Sequence, residues 1–234
     1  MKLRLTPKKS FYLLLGIIAL LLVANLMAIG LRHSPEGIFP RLLTSGMQLF
    51  DFNSENSFPT LFSCLLLLVS AVLLFLISLH AKEKSSFYRY WLFLSFVFVY
   101  LSLDEALMFH EALMLYIREY FQTTGFFYYA WIIPYGGFLV VLGIVYLPFL
   151  KHLPLEIARY ICVAAIIYVS GAIGFEAVSG KLVSLYEEEN LWFKLIYTVE
   201  ELFEMVGIAV FIFGLLVHLQ QQTGSITFMF KEQE

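Results

Sequence analysis

Six stretches of this chain stay apolar for about 20 residues or more, the length an α-helix needs to cross a hydrocarbon core about 30 Å thick. They lie at about 11–30, 58–80, 88–112, 127–149, 157–179 and 191–219. In such a core every backbone N–H and C=O must be satisfied within the protein, which leaves helices or closed barrels. Continuous apolar runs, without strict alternation, select helices. Composition agrees, because 60% of the 234 residues are hydrophobic and only 14% are charged. Soluble domains carry about 25% charge, so this chain has too little polar surface to wet a globule. The expected fold is all-α, one integral membrane domain over residues 1–234, built as a six-helix transmembrane bundle. No internal repeat or low-complexity linker divides it.

Lys and Arg in short loops set the orientation of such a bundle. With the N-terminus inside, ten of the fifteen fall on the cytoplasmic side (Lys2, Arg4, Lys8, Lys9, Lys82, Lys84, Arg89, Lys151, Arg159, Lys231). Both termini are therefore expected in the cytoplasm, in a multi-pass protein of a bacterial cell (inner) membrane. The basic start resembles a secretory signal, but its apolar run is long and Leu26 stands where a small residue is wanted. That segment is expected to stay as the first span. Tyr88, Tyr90 and Trp91 are expected to mark one membrane edge, and Phe126 to Tyr129 with Trp131 the other. Pro134, with Gly136 and Gly137, is expected to kink the fourth span. The stretch 31–57, broken by Pro35, Gly37 and Pro40, could cap the outer face, and Glu187 to Glu189 read as a solvated loop. Cys64 and Cys162 lie inside apolar segments and are expected in the core, unpaired.

Seven acids sit inside segments otherwise apolar enough to span: Asp104, Glu105, Glu111, Glu176, Glu200, Glu201 and Glu204, with His110 beside them. Each acid at mid-membrane costs about 2.5–3.5 kcal/mol on insertion scales. Such residues usually face a bundle interior and mark a site or pathway. At 1.5 Å per residue, Asp104 lies about 24 Å along the third span and Glu176 about 28 Å along the fifth. Glu200 and Glu204 lie roughly 13–20 Å into the sixth, which runs the other way. Three helices thus bring carboxylates to the outer half of the membrane, and Glu55, just before the second span, hangs over the same region. In a straight helix Asp104 and Glu111 share a face, about 20° apart. Ala165, Ala172, Glu176 and Ser179 share another, while Tyr197 and Gly207 lie on the stripe of Glu200, Glu201 and Glu204.

So many carboxylates cannot all stay ionised side by side. Lys194, Arg118 and Arg41 are the nearest cations, and they are too few. A bound divalent metal or shared protons would make up the deficit. Oxygen donors with one imidazole suit Mn, Fe, Zn or Ca. Asp104, His110, Glu111, Glu176, Glu200 and Glu204 form the expected ligand pool, with Glu55, Glu105 and Glu201 as secondary candidates. His80 and His218 lie at cytoplasmic helix ends, apart from this group.

Three stretches carry a resemblance: Phe50-Asp51-Phe52 with Glu55-Asn56 and Pro59-Thr60, Leu101-Ser102-Leu103-Asp104-Glu105 with His110-Glu111, and Tyr197-Thr198-Val199-Glu200-Glu201 with Glu204-Met205 and Gly207. Together they resemble a family of uncharacterised bacterial multi-span membrane proteins, and the resemblance implies no activity. The Glu55-Asn56 pair before a span is similar to ceramidase-type membrane hydrolases. Those use three zinc-binding histidines, which this chain does not supply at one depth.

Three functions fit the residues. One is a metal-dependent membrane enzyme or metal-binding protein, acting on a lipidic substrate, with Asp104, Glu111, Glu176, Glu200 and Glu204 as ligands. A second is a proton- or cation-coupled transporter, for which a homodimer would supply missing symmetry. The third is a non-catalytic assembly or sensor subunit. Membrane lipids are the expected partners. No basic patch with interleaved aromatics points to nucleic acid.

Overall fold

A computed structural model of the protein describes residues 2–32, 46–82, 87–186, 190–224 and 226–229. The run Glu187 to Glu189, Arg41 and residues 33–45, about half of the stretch expected to cap the outer face, lie outside them.

The chain is a six-helix membrane bundle. Its spans are α1 (Pro7–Arg32), α2 (Phe58–Lys82), α3 (Tyr88–Leu107), α5 (Ile132–His152), α6 (Leu155–Val183) and α7 (Leu191–Thr223). A shorter helix, α4 (Phe109–Phe121), follows α3. The protein is thus a multi-pass membrane protein, with each apolar run of the sequence inside one helix. A two-stranded antiparallel ladder, Lys2–Leu5 against Ile226–Met229, joins the two ends of the chain on one side of the bundle. Among the described residues this ladder is the one feature outside the all-α expectation.

The centre of the bundle is α7, with 61% of its most apolar stretch buried against 11–28% for α1, α3, α5 and α6. Glycines set how closely α6 approaches it. A Cβ at Gly207 would lie 2.7 Å from the Tyr168 backbone nitrogen, and one at Gly214 would lie 2.8 Å from Tyr160 Cβ. Seven residues apart, they form one face where backbones meet, the usual device where lipid gives helices no hydrophobic reason to associate. α2 and α3 pair through hydroxyls that bond across to backbone carbonyls, Ser95 to Ala71 at 2.8 Å and Ser102 to Cys64 at 2.9 Å.

Near the end remote from the ladder, Asn25 of α1 is completely buried. Its Nδ2 donates to Thr198 of α7 at 2.9 Å, and its Oδ1 accepts from the Phe52 amide at 3.0 Å. Tyr197 donates to Asp51 at 3.0 Å beside it. This network ties α1 and the segment before α2 to the central helix.

Four expectations need correction. The third span is not straight: it breaks at Met108, whose φ of 56° is left-handed, and α4 starts immediately after. Pro134 falls in the first turn of α5, where its missing N–H costs nothing; the proline inside that helix is Pro148. Trp91, in the first turn of α3, turns inward and not toward lipid: it is buried and stacked on His218 at 5.1 Å. Cys162 is exposed on the lipid-facing surface, whereas Cys64 is half-buried, and both are free thiols.

Candidate functional site

The break at Met108 builds the first part of the site. One left-handed residue costs roughly 1–2 kcal/mol, and the Asp104 carboxylate supplies the compensation. Its Oδ1 accepts from the His110 backbone amide at 2.8 Å, one of the unpaired donors at the start of α4. Its Oδ2 lies 3.3 Å from His110 Nδ1. Asp104 is therefore a helix cap that also orients an imidazole, and Asp104 and Glu111 do not share a straight-helix face.

The second part is a π-helical turn, Ser170–Phe175, inside α6. Ser170 Oγ bonds back to the Ile166 carbonyl at 2.7 Å, a contact that bends helices. Gly171 in this turn comes so close to α7 that a Cβ there would sit 2.7 Å from the Glu200 carbonyl oxygen. Such turns cluster at functional sites, and this one ends on Glu176. Glu176 Oε1 accepts from the Trp131 indole at 3.1 Å, and Glu200 Oε2 accepts from Ser179 at 3.0 Å. The Glu176 and Glu200 carboxyls themselves lie against one another.

The third part is the turn before α2. Phe58 N donates to the Leu49 carbonyl at 2.8 Å, and Ser57 caps the helix by accepting from Thr60 N at 3.2 Å. Glu55 is held there beside Glu111. Burial, with Glu111 adding to it, pushes the Glu55 carboxyl up to about 7.

These parts close around a single cavity of about 560 Å³. All nine candidates line it: Glu55, Asp104, Glu105, His110, Glu111, Glu176, Glu200, Glu201 and Glu204. The acids occupy the end remote from the chain termini. Below them the walls are apolar, including Leu94, Val97, Phe98, Leu139, Leu142 and Ile161.

A family model described as a domain of unknown function, DUF8692, matches residues 6–219. The chain belongs to the DUF8692 family. No curated protein and no solved structure matches it.

In this DUF8692 protein, residues the sequence did not single out for the site complete it. Trp131 stands 5.3 Å from the His110 ring, centroid to centroid. Tyr135 bonds to Tyr100 through their hydroxyls at 2.6 Å, bridging α5 to α3 above the cavity, and Tyr146 bridges the same helices below by donating to the Tyr90 carbonyl at 2.8 Å. Between these two bridges α5 packs only lightly on its neighbours. Trp131 has the type and position of an edge aromatic, and its spacing carries no sign that its N–H turns inward to an acid 45 residues on.

Of the cations considered near the cluster, Arg118 instead lies over the Tyr128 ring at 3.7 Å, and Lys194 is buried on α7 outside the cavity wall. Among the described residues no Lys or Arg lines the cavity. Nor does any group of three His, Cys, Asp or Glu side chains among them stand close enough to hold a metal ion. The donors come in pairs: Asp104 with His110, Glu55 with Glu111, Glu176 with Glu200.

Proposed function

We propose that this DUF8692 protein binds an amphipathic molecule with a positively charged head group, the head among the carboxylates and the tail in the apolar part of the cavity. One observation carries this: an intramembrane cavity has eight acids at one end, hydrocarbon at the other, and no Lys or Arg among the described residues of its wall. The ligand must bring the positive charge. Paired carboxyls spread around a rim suit an organic ammonium group, and the faces of Trp131 and Tyr135 beside them add attraction for a cation. From Glu200 to Phe211 the wall runs about 16 Å along α7, room for one chain laid along the helix. The lightly packed stretch of α5 offers a way in from the bilayer.

Mass spectrometry of the full chain, purified in mild detergent, should find an amine-headed amphiphile at about one per protein. Gly143 lines the cavity, and a Cβ there meets nothing within 4 Å. Gly143→Phe should therefore fill the cavity and remove the bound molecule while leaving the unfolding midpoint unchanged or higher. Recovery of only bulk membrane lipid, in equal amount from wild type and Gly143→Phe, overturns the reading.

The position of Glu55 adds a pH dependence. Below about 7 its carboxyl is protonated, and above about 7 it is charged. A cationic head gains a partner as pH rises through that value, so binding of a long-chain alkylamine should tighten between pH 6 and 8. In Glu55→Gln the tightening should be smaller than in the wild type; affinity that falls over this interval contradicts the assignment.

A divalent cation (Mn, Fe, Zn or Ca) at the same rim is the second reading. It is favoured by the Asp104–His110 pair, which presents oxygen and nitrogen together. Elemental analysis of the purified protein separates the two, since only this reading expects stoichiometric metal. Proton or cation transport is less favoured, because the wall below Gly207 continues with Ile208 and Phe211 and offers no polar path.

A further inference from the structure

Two helices of the acid-rimmed cavity, α5 and α6, take different partners. α5 is stitched to α3: Tyr135 bonds to Tyr100, and Tyr146 donates to the Tyr90 carbonyl. Phe149 stacks on Tyr90 at 5.1 Å and meets Trp91 edge-on at 4.8 Å. α6 is drawn instead to α7, where Gly171, Gly207 and Gly214 let the two backbones meet. Among the described residues one hydrogen bond spans the α5 and α6 sides, from the Trp131 indole to Glu176 at the acid rim. At the opposite end the turn at Leu153 and Pro154 joins the two helices.

Between these ties stand small residues. Gly143 of α5 and Ala165 of α6 both line the cavity, and both are exposed. A Cβ on Gly143 would meet no atom within 4 Å, so no neighbouring side chain fills the space beside it. Gly143 lies about 120° round α5 from Phe149, away from the side stitched to α3. Ala165 lies about 16 Å along α6 from Glu176. Lipid gives two helices no hydrophobic reason to close such a gap, because its chains are as apolar as the side chains.

We propose that the gap between α5 and α6 is a lateral portal, through which the amphiphile passes between the bilayer and the acid-rimmed cavity. This rests on the reading of the rim as a head-group site, and it adds the phase from which the ligand comes. With the head at Glu176, a chain about 16 Å long reaches the level of Ala165 and slides in sideways without leaving apolar surroundings. A ligand that lives in water gains nothing from such a path, so the portal assigns the ligand to amphiphiles already resident in the membrane. A bulky side chain in the gap obstructs entry and exit alike. Both rates then fall, and their ratio, the affinity, holds.

The probe is dodecylamine carrying fluorine at its chain end, followed by fluorine exchange NMR with the full chain in lipid nanodiscs. In Ala165→Phe the association and dissociation rates should both fall at least about tenfold, while the dissociation constant stays within about twofold. Ala165→Leu, a smaller plug, should slow exchange less, and it serves if the Phe variant fails to fold. Val163→Phe is the matched control, since Val163 is an exposed α6 residue outside the cavity wall; both rates should stay as in wild type. Unchanged rates in both Ala165 variants, or equal slowing in Val163→Phe, overturn the portal. So does a loss of affinity without slower exchange, which makes Ala165 cavity wall alone. If wild type binds no dodecylamine, the acid-rim reading fails, and the portal is judged by proton contacts between lipid-chain methylenes and the methyls of Leu142 and Ile161, both in the cavity wall. Contacts present in wild type and lost in Ala165→Phe support it; contacts absent in wild type, or retained in the variant, overturn it.

Discussion

Gly207→Ala should lower stability by about 2 kcal/mol, in the range for overpacking a filled interior. The new Cβ would come within 2.7–2.9 Å of Tyr168 backbone and side-chain atoms. The nearest of these is backbone, so α6 and α7 must move apart. Separating them also moves Glu176 from Glu200, so ligand binding at the acid rim should fall with stability. Gly136→Ala is the matched control, since a Cβ there meets nothing within 4 Å. It should be neutral or stabilising by up to about 1 kcal/mol through helix propensity alone. The unfolding midpoint in detergent should therefore fall for Gly207→Ala and not for Gly136→Ala. A shift of the same sign and size in both would show that the α6–α7 approach is not what fixes the bundle.

Asp104→Ala is expected to cost about 2 kcal/mol, the range for a hydrogen bond to a charged group. It removes the acceptor of the His110 amide and leaves Met108 in its left-handed conformation without compensation. Asp104→Asn keeps an oxygen in the same place and should recover most of the stability. It also takes one negative charge from the rim, so alkylamine binding should weaken in both variants. Hydrogen exchange at the start of α4 reads the cap directly. If Asn and Ala behave alike there, Asp104 acts through its charge and not as a cap.

The contrast between these positions shows which parts of the molecule were legible in its sequence. The six spans follow from runs of apolar residues, because in lipid the length of a run fixes the element. The gathering of the acids followed from helix direction and rise alone, and all nine candidates do line one cavity. The break at Met108 was not legible: no Gly or Pro stands there, and the cap comes from a side chain four residues earlier, which spacing reads as part of a continuous stripe. The π turn was hidden too, since an inserted residue inside an apolar helix leaves the composition unchanged. Trp91 and Trp131 have the type and position of membrane-edge aromatics, and neither shows in the sequence that it turns inward to a partner, His218 and Glu176, distant along the chain. Metal ligation by the candidates rested on charge balance, and a cationic head group answers the same deficit.

Asn25 sets a condition on the order in which the protein can be made. Its partner on α7 lies 173 residues downstream. At chain growth of about 5–20 residues per second, α1 waits roughly 10–35 s in the bilayer before Thr198 exists. Through that interval a carboxamide stands in the first span without its final contact, a strong reason for α1 to stay with the insertion machinery or a chaperone until α7 arrives. A nascent chain halted before α7 would hold an open first span, which a membrane quality-control protease could recognise by its unpaired polar group.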